Sequence, residues 1–249
     1  MLGLGHGIHT DTAGLAEIFS NQYSLQFNGS TESVQIDTVA ADMDNRYGSF
    51  VTWIRPEAMS GSTTVVEAAV DANNFIRLWW NDGNTRMKAT IKQGGTSSTA
   101  QDDSATDVVD DDSAWHHVVS TWDTTADGGS GEIKLYVNSV LQETTAIGGT
   151  WSGTLAAADI AKNARSDAGY FKGYIDELGI FKKALTADQV STLYGGGFTR
   201  DYEFSAVQQE DLVGYWRFTE GSGTSSVDES GTDNTGTLVN TPTWSTETP

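Results

Sequence analysis

Residues 173–197 read GYIDELGIFKKALTADQVSTLYGGG, and this stretch decides the fold class because strand character runs straight into a single capped helix. The run 170–181 is rich in aromatic and β-branched residues, as strands are. Thr186 followed three residues later by Gln189 forms a capping box, in which each side chain satisfies a backbone N–H of the other's residue. Val190, Leu193 and Tyr194 then share one apolar helix face, and Gly195 supplies a stop, so a short helix lying on a sheet is expected.

Upstream, almost everything reads as strand. In YSLQFNG, Tyr23, Leu25 and Phe27 alternate with polar residues and meet Asn28-Gly29, a half-buried strand entering a turn. Further runs fall at 49–54, 63–70, 75–80, 86–92, 115–122 and 132–137. Between them sit turn clusters such as Asn81-Asp82-Gly83-Asn84, where glycine takes positive φ at little steric cost. Many short strands separated by turn signals predict a two-sheet antiparallel sandwich or a barrel. A weaker helical pattern covers 11–19. Downstream, strand character returns at 212–218 (LVGYWRF) and 236–240, around a Gly/Ser/Thr/Asp-rich connection.

Composition excludes several classes. The chain has 249 residues and no cysteine, so disulfides, thiolate-bound zinc and thiol nucleophiles are out. Its 34 acidic against 14 basic side chains give a net charge of −20, which argues against nucleic acid and against anionic membrane surfaces. No stretch approaches the roughly 20 apolar residues of a membrane span, and the start MLGLGHGIHTD lacks the basic and apolar regions of a signal peptide. Hydrophobic content is only 37%, but 8 Trp, 8 Tyr and 9 Phe supply large apolar areas for a core.

Taken together, YSLQFNGSTESVQI, FVTWIRPE, WHHVVSTWD, EIKLYVNSVLQE and the opening stretch occur in an order that resembles the laminin-G-like, concanavalin A-like jelly-roll family, over about residues 23–195. The resemblance implies an all-β jelly roll with one short helix after its closing strand. It divides the chain into an N-terminal arm (1–20), a jelly roll (21–197) and C-terminal strands (198–249). The C-terminal segment looks like the strands that normally open such a domain. Two fates are open to it: completion of the same sandwich, or exchange into a neighbour to build a homo-oligomer.

Glucan hydrolases of this resemblance carry an E-x-D-x-x-E triplet, which is missing here. Asp176 and Glu177 are adjacent, so on a regular strand they face opposite sides; no catalytic residue is expected. His116 and His117 are likewise neighbours and are read as structural. The resemblance implies calcium held by Asp176 with carbonyls around Asn28 and Gly29, with Asp110, Asp111 and Asp112 as an alternative. Ligand contact falls to Trp151, in a Gly-rich loop, and to Trp80, since Trp79 and Trp80 must face opposite sides of a strand. Leu2, Leu4 and Ile8 in the Gly-rich arm are the expected partner-binding residues.

A surface module without signal peptide or cysteine suggests a non-enzymatic bacteriophage virion protein. It would dock on capsid or tail structural proteins through the arm, sit on the virion surface and adhere weakly to host-surface glycans. The alternative is a secreted or cell-surface carbohydrate-binding or adhesion module.

Overall fold

The structure is a computed structural model and describes residues 21–58, 60–81, 86–102, 114–126, 130–195 and 210–249. The arm with Leu2, Leu4 and Ile8, the weak helical pattern at 11–19, and Asp110, Asp111 and Asp112 lie outside the described residues.

Among the described residues, two antiparallel sheets of eight strands each make up the fold. The first holds β1 (Ser24–Asn28), β3 (Tyr47–Pro56), β8 (His116–Asp123), β9 (Glu132–Val137), β10 (Val140–Ala146), β12 (Lys172–Phe181), β13 (Leu212–Trp216) and β16 (Thr243–Ser245). Its order is β10-β9-β8-β3-β12-β1-β16, with β13 also on β12. The second holds β2 (Ser33–Gln35), β4 (Ser62–Asp71), β5 (Asn74–Asn81), β6 (Arg86–Gln93), β7 (Thr96–Gln101), β11 (Ala157–Ile160), β14 (Ser225–Ser226) and β15 (Gly236–Val239). Its order is β14-β15-β2-β11-β4-β5-β6-β7.

Strand alternation sorts the side chains into two cores. Phe50 and Ile54 of β3, Ile175, Leu178 and Ile180 of β12, and Ile76, Leu78 and Trp80 of β5 meet between the sheets. On the outer side of the first sheet, Val51, Trp53, Val119, Tyr136 and Phe181 form a second cluster. The helix α1 (Ala187–Gly195) covers it, burying Val190 and Leu193. Its capping box is formed: Gln189 N–H donates to Thr186 Oγ1 at 3.3 Å, and Thr186 N–H donates to Gln189 Oε1 at 3.0 Å. His117 makes tilted ring contacts with Trp53 (5.0 Å) and Tyr194 (5.8 Å), which stack on each other beside this second cluster. Burial pushes its imidazole down to about 3, so it is a neutral packing group at neutral pH.

The C-terminal segment enters both sheets of its own chain. β13 pairs with β12, β15 with β2, and β16 with β1. Trp216 is fully buried between the sheets and donates its indole N–H to the Asn234 carbonyl at 3.0 Å. Asp228 ties the connecting loop down: its carboxylate accepts from the N–H groups of Tyr215 (2.8 Å) and Asn234 (2.8 Å).

One edge of β12 is shared. Residues 172–175 pair with β1 and residues 178–181 with β13, while β3 runs along the other edge. At the changeover Glu177 takes φ 48°, and the register against β3 shifts between Asp176 and Gly179. This bulge overturns the regular alternation expected for Asp176 and Glu177, and both carboxylates are buried. Glu177 accepts from the Tyr215 hydroxyl and lies 3.7 Å from Arg217. Asp176 accepts from the Asn21 amide at 2.6 Å. Burial raises both, Glu177 to about 7.

Candidate functional site

β5 decides where the site lies. In NFIRLWWN, Ile76, Leu78 and Trp80 face the inter-sheet core, so strict alternation sends Phe75, Arg77 and Trp79 to the outer face. Trp80 is therefore corrected: it is only 4% exposed, within the core, and Trp79 is the outward ring. The Arg77 guanidinium stacks on both outer rings, 4.3 Å from the Trp79 centroid and 5.3 Å from that of Phe75. On β6, Lys88 and Lys92 stand opposite Trp79 and Phe75 and bring their ammonium groups to 5.4 Å and 5.7 Å of the rings.

Arg77 also belongs to a polar row that crosses every strand of the sheet. Cross-strand partners run Ser225, Thr237, Gln35, Asp159, Glu67, Arg77, Thr90 and Thr99. No apolar residue interrupts it. Trp79 is anchored to this row, its indole N–H donating to Thr90 Oγ1 at 2.9 Å. Thr90 and Thr99 hydroxyls share a hydrogen bond at 2.9 Å.

The loop after β11 folds back over the middle of the row. Ala164 N–H donates to Glu67 Oε1 at 3.0 Å, and Asn163 Oδ1 accepts from Thr64 Oγ1 (2.6 Å) and Arg77 (3.2 Å). Lys162 lies 3.8 Å from Asp159 and 3.7 Å from Asp167. As a result Asp159 and Glu67 are only 3% and 5% exposed. Burial, against the pull of Lys162, pushes Asp159 up to about 7, and burial likewise raises Glu67 against Arg77. The loop leaves an open depression of about 360 Å³ lined by Lys162, Ala164, Arg165, Ser166 and Asp167.

Such a face can hold a flat, hydroxyl-rich molecule. Half-buried rings offer apolar surface to C–H groups, and the flanking guanidinium, ammonium, hydroxyl and amide groups donate or accept at its margin. Glu67 and Asp159 oppose each other on adjacent strands, but the loop covers them and both face cations, so a substrate would not reach them.

The other sequence candidates fall elsewhere. Trp151 is half-buried against the core, and its indole N–H donates to the Gly153 carbonyl at 3.0 Å. Its loop caps the end of the second sheet: Ser152 N–H donates to Asn74 Oδ1, and Gly149 sits at φ +84° where a Cβ would strike the Gln93 carbonyl. The calcium set is not assembled. Asn28 pairs with Lys172, four strand positions from Asp176, or about 13 Å at the usual rise. Asn28 Oδ1 is already engaged by Ser30 and Thr31 N–H groups, and Gly29 packs on the Lys172 side chain. Among the described residues no group of three His, Asp or Glu side chains could hold a metal ion.

Residues 28–191 match a family model described as the concanavalin A-like lectin/glucanases superfamily. No curated protein sequence matches the chain. Among solved structures, a provisionally named carbohydrate-binding protein from Bacteroides ovatus is 14% identical with a TM-score of 0.61, covering 91% of this chain and 60% of its own. The CBM40 module of a Ruminococcus gnavus IT-sialidase, solved with α2,3-sialyllactose, is 14% identical with a TM-score of 0.54, covering 71% of this chain and 100% of the module. The NanB sialidase of Streptococcus pneumoniae is 16% identical with a TM-score of 0.54, covering 70% of this chain but only 28% of the enzyme. At these identities the likeness is one of fold.

Proposed function

The chain belongs to the concanavalin A-like lectin/glucanase superfamily, and from that premise we propose that it is a non-catalytic carbohydrate-binding module whose glycan lies along Phe75, Arg77 and Trp79. One observation carries the reading: two partly open rings flank a wholly polar cross-strand row at Arg77, each edged by hydrogen-bond donors. The fold likeness to carbohydrate-binding modules supports it. The virion role expected from the sequence finds no support in those relatives, and the capsid or tail partners and virion location expected with it give way to the alternative of an extracellular or cell-surface binding module.

The test is a glycan-array screen of the whole chain followed by titration calorimetry on the best binder. Trp79→Ala and Phe75→Ala should each weaken binding by at least about tenfold, as truncating an energetically central aromatic does. Unchanged affinity in both variants would refute the site. Hydrolysis of the bound glycan would refute the non-catalytic reading.

A further inference from the structure

The same face carries a charge arrangement at odds with the rest of the molecule. We propose that it selects a glycan bearing an acidic group, a carboxylate or a sulfate ester; this rests on the site proposed above. In a chain of net charge −20 with 14 basic residues, three cations stand side by side on this ledge: Lys92 by Phe75, Arg77 between the rings, and Lys88 by Trp79.

Their partners are few. Arg77 faces Glu67 at 3.7 Å. Lys92 donates one N–H to the Ala72 carbonyl at 2.9 Å and keeps two more. Neither lysine has an ion pair among the described residues. Asp102 and Glu143 act on Lys88 from a distance while hydrogen-bonding backbone groups: Asp102 accepts the N–H of Met87 at 3.1 Å and Glu143 that of Gln101 at 2.9 Å. Burial first and then the like charge of Arg86 hold the Lys88 ammonium below the ordinary lysine range, against the opposing pull of Asp102 and Glu143.

The protein's overall negative charge does not oppose this. Beyond a Debye length of about 8 Å at physiological salt it is largely screened, so the groups at the ledge set the local preference. Lys88 and Lys92 are four residues apart on β6, about 13 Å, a span of two to three sugar rings. A guanidinium or ammonium also binds an anionic oxygen more strongly than a neutral hydroxyl. A neutral glycan offers these cations only uncharged hydroxyls.

Matched glycans test this: lactose, 3′-sialyllactose and 3′-sulfolactose, within an array that pairs other neutral glycans with their carboxylated and sulfated forms, read at 0.05 and 0.3 M NaCl. Acidic members should bind at least about tenfold more tightly than their neutral parents, with affinity falling at the higher salt. Lys88→Gln with Lys92→Gln should remove that preference, bringing the affinity for acidic members down to about that for their neutral parents. The carboxylated and sulfated arms tell which anion is read. If neutral glycans bind as well as acidic ones and the double lysine variant is silent, the inference fails while the aromatic site stands. If no array member binds, or binding survives Trp79→Ala and Phe75→Ala, the site fails and the inference with it.

Discussion

Replacing Asp159 by asparagine should remove one large part of a pH-dependent weakness of the fold. Its carboxyl is 3% exposed and is pushed from 3.8 up to about 7 by burial, despite Lys162 at 3.8 Å. Below pH 3.8 the group is protonated in both folded and unfolded chains and has no effect. As pH rises toward 7 the unfolded chain ionises first, so stability is lost; above 7 the loss is complete. A displacement of about three pH units at 1.36 kcal/mol each comes to about 4 kcal/mol, of which about 1 is already lost at pH 4.5. Relative to the native protein, Asp159→Asn should therefore gain about 3 kcal/mol between pH 4.5 and pH 8. Asp176 and Glu177 are raised in the same direction but remain in the variant and cancel in the difference, whereas Glu67, whose charge adds to the rise of Asp159 across the strands, is relieved in the variant and adds to the gain at pH 8. Urea unfolding of both proteins at the two pH values measures it. A variant-minus-native difference that is the same at pH 4.5 and pH 8 would refute the argument.

Two further outcomes follow from where the tryptophans and the last strands lie. Trp216→Ala, at a fully buried indole hydrogen-bonded to Asn234, should cost about 3–5 kcal/mol and lower Tm by roughly 10 °C, whereas Trp79→Ala on the outer face should shift a thermal scan by no more than about 3 °C. A chain ending at residue 210 exposes the edge of β12 at 178–181, the edge of β1 and the edge of β2; it should aggregate in light scattering where the full chain does not, and a soluble, cooperatively melting truncated chain would contradict that.

Most of the fold was open to sequence reading where strands carry large alternating apolar residues. β3, β5, β8 and β12 lie within a few residues of the runs expected, and the Thr186–Gln189 box marks the helix start that forms. The strands that escape notice lack that signal. β7 is TSSTAQ and β11 is AADI, sequences whose small or polar side chains read as loop; β11 pairs on both edges, so the neighbours rather than the residues define it. The site was half legible. Alternation in NFIRLWWN was sufficient to choose Trp79 over Trp80, since Ile76 and Leu78 share the parity of Trp80. By contrast, Glu67, Asp159 and Asn163 become neighbours only through strand order and a returning loop, which no spacing along the chain encodes. The bulge at Glu177 was hidden for a related reason: it exists because β12 changes partner there.

The pairing of β1 with β16 has a bearing on how the molecule assembles. The Ser24 hydroxyl donates to the Glu247 carbonyl across 223 positions of chain, and Ser24 stands opposite Ser245 in the sheet. Contacts of such long range must wait for a large loop to close, and topologies dominated by them fold on millisecond to second scales. During synthesis at about 5–20 residues per second, β1 emerges before the other strands of its sheet yet keeps a vacant edge until residues 243–245 have followed. For that interval a nascent chain is a template for another copy's β16 as much as for its own, so crowding of nascent chains rather than weakness of the finished fold would govern the yield of correctly closed monomer.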